Sequence, residues 1–175
     1  MKTIEIRRHS LREKPDDHLN QAGVALARRA GDRMGEFNLV ITSSLPRAYE
    51  TAIAMGYAVN EQSPALSTMG AIGKKYDEWA SFEDIAKLIK KNKNAAKYAE
   101  KQAKLWRKWL AGLKDGNRAL VVSHGGVIEF GLLGCLPKAD ATEWGALLGC
   151  CEGVRLYLDK GKWHTPQILR ITADK

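Results

Sequence analysis

Residues 3–10, TIEIRRHS, carry the reading that decides the fold. Thr3, Ile4, Glu5 and Ile6 alternate with the period of two expected of a strand, which then runs out into Arg7, Arg8 and His9. Two other short apolar runs end the same way. Residues 37–42, FNLVIT, stop at Ser43 and Ser44 with Arg47 just beyond, and residues 118–123, RALVVS, stop at His124. Runs this short and this apolar suit strands covered on both faces, the usual state of a parallel sheet. Ligands of open α/β sheets lie beyond the carboxyl ends of the strands, so these three ends are expected to meet at one site.

The intervening sequence is helical. Asn20 is placed to cap a helix whose Val24, Leu26, Ala27 and Ala30 face the sheet and which ends near Gly35. Pro46 stands in the first turn of a second helix through Ala48, Ala52 and Met55. Residues 58–80, punctuated by Pro64, Gly70 and Gly73, predict a short strand near Ala65 and Leu66 and then a covering loop. Residues 82–89 predict a short helix. From Asn94 to Leu113 the 3.6-residue period is clear in Ala95, Ala99, Trp106 and Leu110, with lysine on the opposite face. Trp106 and Trp109 lie on the apolar stripe, as core residues do. Residues 127–133 begin another helix. Residues 146–150, 154–158 and 167–171 predict strands, the last two joined as a hairpin through Lys160 and Gly161. This order predicts an α/β fold, a three-layer α/β/α sandwich with a mostly parallel central sheet, as one domain over residues 1–175.

Composition narrows the class. The chain is 45% hydrophobic, enough for a core on both faces of a sheet. Little beyond residues 172–175 calls for disorder. The N-terminus reaches charged residues before any signal-peptide core can form, and no run of about 18 apolar residues exists to span a bilayer. Cys135, Cys150 and Cys151 are an odd number with two adjacent, which fits free thiols in a reducing cytoplasm. Between Lys87 and Lys108 nine basic residues face one acid, Glu100, so this segment alone carries the chain's net charge of +8. It reads first as a solvated face and second as a surface steering anionic substrates; nucleic acid or a membrane surface comes third.

Two imidazoles and two or three guanidiniums at converging strand ends have a chemical meaning. Arginine forks match phosphate oxygens, and a neutral imidazole ringed by cations resists protonation and stays nucleophilic near neutral pH. That chemistry needs no metal or cofactor. Ser43 and Ser44 lack the glycine elbow of a serine hydrolase. Arg7 faces away from Arg8 by strand alternation. His18, before the first helix, is a further candidate for the pocket mouth.

At this point the sequence resembles the histidine phosphatase superfamily, the phosphoglycerate-mutase-like enzymes. RRHSLR at 7–12, HLNQAG at 18–23, SSLPRAYETA at 43–52 and VVSHGGVI at 121–128 are similar to that family's motifs, in the family's order. The resemblance implies that His9 becomes phosphorylated, that Arg8 and Arg47 bind the phosphoryl group, and that His124 assists. Arg12 matches a further phosphate-binding arginine of the acid-phosphatase-like branch, although Gly125 after His124 follows the mutase-like branch. Ser10 and Asn20 are small polar departures from the family pattern.

The general acid is the gap. Where the mutase-like branch has a glutamate two residues after a leucine, here Leu66, this chain has Thr68. Asp77, Glu78, Glu83 and Asp84 are the available carboxylates. Alternatively none is required, because phosphohistidine carries a better leaving group than an alkyl phosphate. The expected activity is therefore hydrolysis of a phosphate monoester or phosphohistidine on a small molecule or phosphoprotein. A phosphomutase and a non-catalytic phospho-ligand binding domain are the alternatives.

Overall fold

The computed structural model describes residues 1–171; the disorder reading at 172–175 lies outside the described residues. In chain order the elements are β1 (Lys2–Arg8), α1 (Gln21–Gly31), β2 (Leu39–Ser43), α2 (Pro46–Ala54), β3 (Glu61–Ser63) and α3 (Phe82–Lys91). They continue with α4 (Lys93–Ala111), β4 (Arg118–Ser123), α5 (Val127–Cys135), β5 (Gly153–Asp159), β6 (Lys162–Trp163) and β7 (Gln167–Leu169). Strand order is β3-β2-β4-β1-β5-β6, with β7 also on β5. The first four strands are parallel, and β5 runs antiparallel to β1.

Alternation along β4 shows how the layers form. Ala119 and Val121 join Ile4, Ile6, Trp106 and Ile128 in the core beneath α3, α4 and α5, while Leu120 and Val122 join Ala27, Ala48 and Ala52 beneath α1 and α2. The result is the three-layer sandwich read from sequence. Trp106 and Trp109 are buried, and the lysines of α4 face solvent. Among the described residues no helix is long and apolar enough to cross a membrane.

Register sets the site. Arg8 pairs with Ser123, and Thr42 with Val122, so β1, β4 and β2 end side by side. Asn20 caps α1 by accepting from the Gly23 N–H at 2.8 Å. A Cβ on Gly23 would come within 2.0 Å of the Leu11 carbonyl oxygen, so only glycine lets α1 close against the loop after His9. Ser10, fully buried, ties that loop down: its N–H donates to Thr51 Oγ1 and its hydroxyl to the Gly23 carbonyl.

Three local expectations are corrected. The strand predicted at Ala65–Leu66 lies earlier, at Glu61–Ser63, because Pro64 has no N–H for the ladder; residues 64–66 turn as a 3-10 helix. Residues 146–150 form no strand. Beyond an isolated bridge of Ala146 to Ser81, with Leu147 N donating to the Ala80 carbonyl, side chains take their backbone groups: Glu129 accepts from Leu148 N, Glu152 from Gly149 N, and Arg170 donates to the carbonyls of Ala146 and Leu147. The hairpin through Lys160 and Gly161, both at positive φ, leads into β6, whereas Gln167–Leu169 pairs with the opposite end of β5 beyond Pro166.

Candidate active site

His9 follows β1 and is 8% exposed. Its Nδ1 lies 2.7 Å from the Ser10 carbonyl, which can only accept. Nδ1 therefore carries the proton, and Nε2 presents a lone pair. Burial, with the charges of Arg47, Arg8 and Arg12 adding to it and the Ser10 carbonyl opposing it, lowers the His9 pKa to about 4. The ring is neutral at physiological pH.

His124 follows β4, its ring centroid 5.1 Å from that of His9. Its Nε2 lies 2.6 Å from Ser43 Oγ, at the end of β2. That hydroxyl accepts from the Leu45 N–H, so it is placed to give its own proton to Nε2, leaving the hydrogen of His124 on Nδ1. Burial, then the neighbouring His9, Arg47, Arg8 and Arg12, takes the His124 pKa down to about 2. The neutral ring is a donor.

Arg8 donates through Nη1 to the Leu148 carbonyl and more weakly to Tyr76 Oη, at 3.4 Å. Arg47, from the first turn of α2, pairs with the Asp17 carboxylate. Arg12 meets the same carboxylate at 3.4 Å and the Asp16 carbonyl at 2.6 Å. Three buried donors of this cluster, Arg8 Nε, Arg47 Nε and His124 Nδ1, have no partner among the described residues. Buried donors almost always find acceptors, so this set fits an oxyanion with several acceptor oxygens. A pocket of about 450 Å³ opens beside them, lined by Arg47, Thr68, Met69, Tyr76, His124 and Gly125 among others.

His9, Arg8, Arg12, Arg47 and His124 are thus brought together. The carboxylates singled out as acids are not. Glu83 pairs with Lys87 along α3 at 2.7 Å and lines a different groove, with Leu133 and Pro137. Asp84 is spent capping α3, accepting from Ala80 N and Ser81 N. Asp77 and Glu78 are exposed, Glu78 facing Lys75. Thr68 lines the pocket with its hydroxyl engaged by Gly70 N. His18 pairs with Glu50, which raises its pKa. Arg7 turns away to Glu5 and the Cys151 carbonyl.

Sequence reasoning missed three contributors. Asp17 carries no motif. Tyr76 sits in the segment without periodicity. Glu129 had a signal, three residues into a helix after Gly126: its carboxylate accepts from Gly126 N at 2.6 Å and from Leu148 N at 3.0 Å, fastening the His124 turn to the segment that holds Arg8.

The neutral histidines make stability depend on pH. Unfolded, both rings titrate near 6.5; folded, they resist protonation. As pH falls from 6.5 the unfolded chain gains protons that the folded chain refuses, so stability declines, down to about 4 for His9 and about 2 for His124. For His9 alone the loss is about 3 kcal/mol. Denaturant unfolding at steps between pH 7 and 4 is expected to show a His9→Asn, His124→Asn double variant losing less stability than the parent. Parallel curves would contradict this.

The family model described as the histidine phosphatase superfamily, branch 1, matches residues 3–168. Among curated proteins, none matches significantly. Solved structures share the fold: phosphoserine phosphatase of Entamoeba histolytica in complex with 3-phosphoglyceric acid has a TM-score of 0.69 at 16% identity, covering 98% of each chain. The mycobacterial glucosyl-3-phosphoglycerate phosphatase complexed with VO3 has a TM-score of 0.69 at 16% identity over 98% of this chain and 100% of that one. For YhfR of Bacillus stearothermophilus the TM-score is 0.67 at 17% identity, over 94% and 95%. With its motifs in order, their strand ends adjacent and nearly its whole length matched, the chain belongs to the histidine phosphatase superfamily, branch 1.

Proposed function

We propose that this chain is a phosphatase that hydrolyses a phosphate monoester or phosphohistidine through a covalent phosphoryl intermediate on His9. The observation that carries the reading is the set of unpartnered buried donors, Arg8 Nε, Arg47 Nε and His124 Nδ1, gathered around a neutral His9. His9 Nε2 attacks phosphorus. Arg8 and Arg47, with Arg12, neutralise the equatorial oxygens, and His124 donates from Nδ1 as charge redistributes in the transition state. Water then releases phosphate and restores the neutral ring.

Hydrolysis is favoured over a mutase because the cover is one short 3-10 stretch, residues 70–78, with little machinery to hold a second phosphorylated compound. The phosphatases among the structurally similar proteins support the same choice. Thr68 at the expected glutamate position favours phosphohistidine as a second substrate class. Incubation with an aryl phosphate, a phosphohistidine peptide and 3-phosphoglycerate separates the readings. Released phosphate is expected from the parent and none above background from His9→Ala. Isomerisation outpacing hydrolysis would make it a mutase, and activity surviving in His9→Ala would overturn the mechanism.

A further inference from the structure

The pocket beside His124 has no carboxylate among its described lining residues, yet it does have an O–H acid in Tyr76. The phenol lies directly over the second histidine motif: a Cβ on Gly125 would come within 2.2 Å of Tyr76 Oη and 3.1 Å of Arg8 Cζ. The ring is fixed there by an edge contact with Trp79, which packs on Phe130 of α5. Tyr76 Oη accepts from Arg8 Nη1 and donates to no group among the described residues, so its own proton is uncommitted.

From this placement we propose that Tyr76 is the proton donor to the departing oxygen, in place of a carboxylic acid. The proposal rests on the phosphatase reading and deepens it. In the first step the P–N bond to His9 Nε2 forms, the ester P–O bond breaks, and the leaving oxygen takes the Tyr76 proton. The products are an alcohol, the phosphoryl-imidazolium of His9 and a phenolate that faces Arg8. In the second step water attacks phosphorus and the P–N bond breaks. One water proton returns to the phenolate and the other stays on phosphate, so the site is restored. Burial raises the Tyr76 pKa, with Glu129 adding to the rise and Arg8 opposing it, so the phenol holds its proton well above neutral pH. It is therefore suited to poor leaving groups, whose oxygens are far more basic than a phenolate.

Tyr76→Phe keeps the ring and removes only the hydroxyl. Glycerol phosphate, an alkyl ester, and p-nitrophenyl phosphate, whose leaving group needs no proton, are compared in parent and variant, with phosphorylation of His9 followed alongside. Expected is a fall of about 100-fold in kcat/KM for the alkyl ester with less than about 3-fold for the aryl ester. An equal fall for both esters would make Tyr76 a positioning residue, and no fall for either would remove it from the chemistry. Selective loss of the alkyl reaction in Asp77→Asn or Glu78→Gln, with Tyr76→Phe unaffected, would move the role to a carboxylate. A parent that turns over the aryl ester through His9 and leaves the alkyl ester untouched would overturn the Tyr76 assignment while sparing the phosphatase reading. A parent that neither hydrolyses an ester nor accepts a phosphoryl group on His9 would overturn both.

Discussion

Replacing Arg8 by alanine is expected to lower kcat/KM for an aryl phosphate about 1,000-fold, and replacing it by lysine to recover little of that loss. The Arg8 guanidinium is held by the Leu148 carbonyl on one side and placed against Tyr76 on the other, which leaves Nε as a buried donor fixed in direction. Lysine keeps the charge but not the planar fork, so it cannot hold Leu148 and a phosphoryl oxygen together in one geometry. The two variants also separate charge from shape. Burial is the largest cause of the low His9 pKa, ahead of Arg47 and Arg8, so the acid limb of the rate profile is expected to move only slightly upward in Arg8→Ala. Steady-state kinetics with inorganic phosphate as inhibitor measure both effects. A loss under about 10-fold, or full recovery by lysine, would show that Arg8 acts only as a distant charge.

The second large effect is structural in origin. Glu129 is fully buried, and burial raises its pKa while the N–H groups of Leu148 and Gly126 hold it down. Alanine leaves those two donors without an acceptor, at a cost of about 3–5 kcal/mol. Glutamine is informative because its amide carries one acceptor oxygen: it satisfies one N–H and turns an NH₂ toward the other, so about half the cost is expected. Gly126 belongs to the His124 turn and the Leu148 carbonyl receives Arg8, so activity is expected to fall along with stability in both variants. Denaturant melts and kinetics on the same samples test this. Full stability in Glu129→Ala would show that the clamp contributes nothing to the fold.

How far the sequence could be read follows from where each signal lies. β1, β2 and β4 were legible because apolar side chains must fill both faces of a buried strand, and each strand ends in residues that no core tolerates unpaired: Arg8 and His9, Ser43, and His124. Asn20 was legible for a local reason, as a cap, whereas Gly23 was legible only through the motif and its close approach to the Leu11 carbonyl is seen in the fold. Residues 146–150 misled because their apolar composition suits a strand, while side chains outside the segment, Glu152 close by and Glu129 and Arg170 at a distance, satisfy much of their backbone. Tyr76 was hidden for a similar reason. It enters the site on a 3-10 stretch with no hydrophobic period, and only the tertiary packing against Gly125 shows where its hydroxyl lies. Asp17, in an aperiodic loop, gains meaning only once Arg12 and Arg47 are seen to share its carboxylate.

The most direct test is chemical. The protein is mixed with p-nitrophenyl phosphate, quenched within the first turnovers under alkaline conditions that preserve phosphohistidine, digested, and the peptides weighed. A phosphoryl group on the peptide containing His9, attached to its ring and absent from His9→Ala, is the expected result. Substrate turnover with that peptide unmodified at every quench time, or with the phosphoryl group on another residue, would contradict a phosphoryl intermediate on His9.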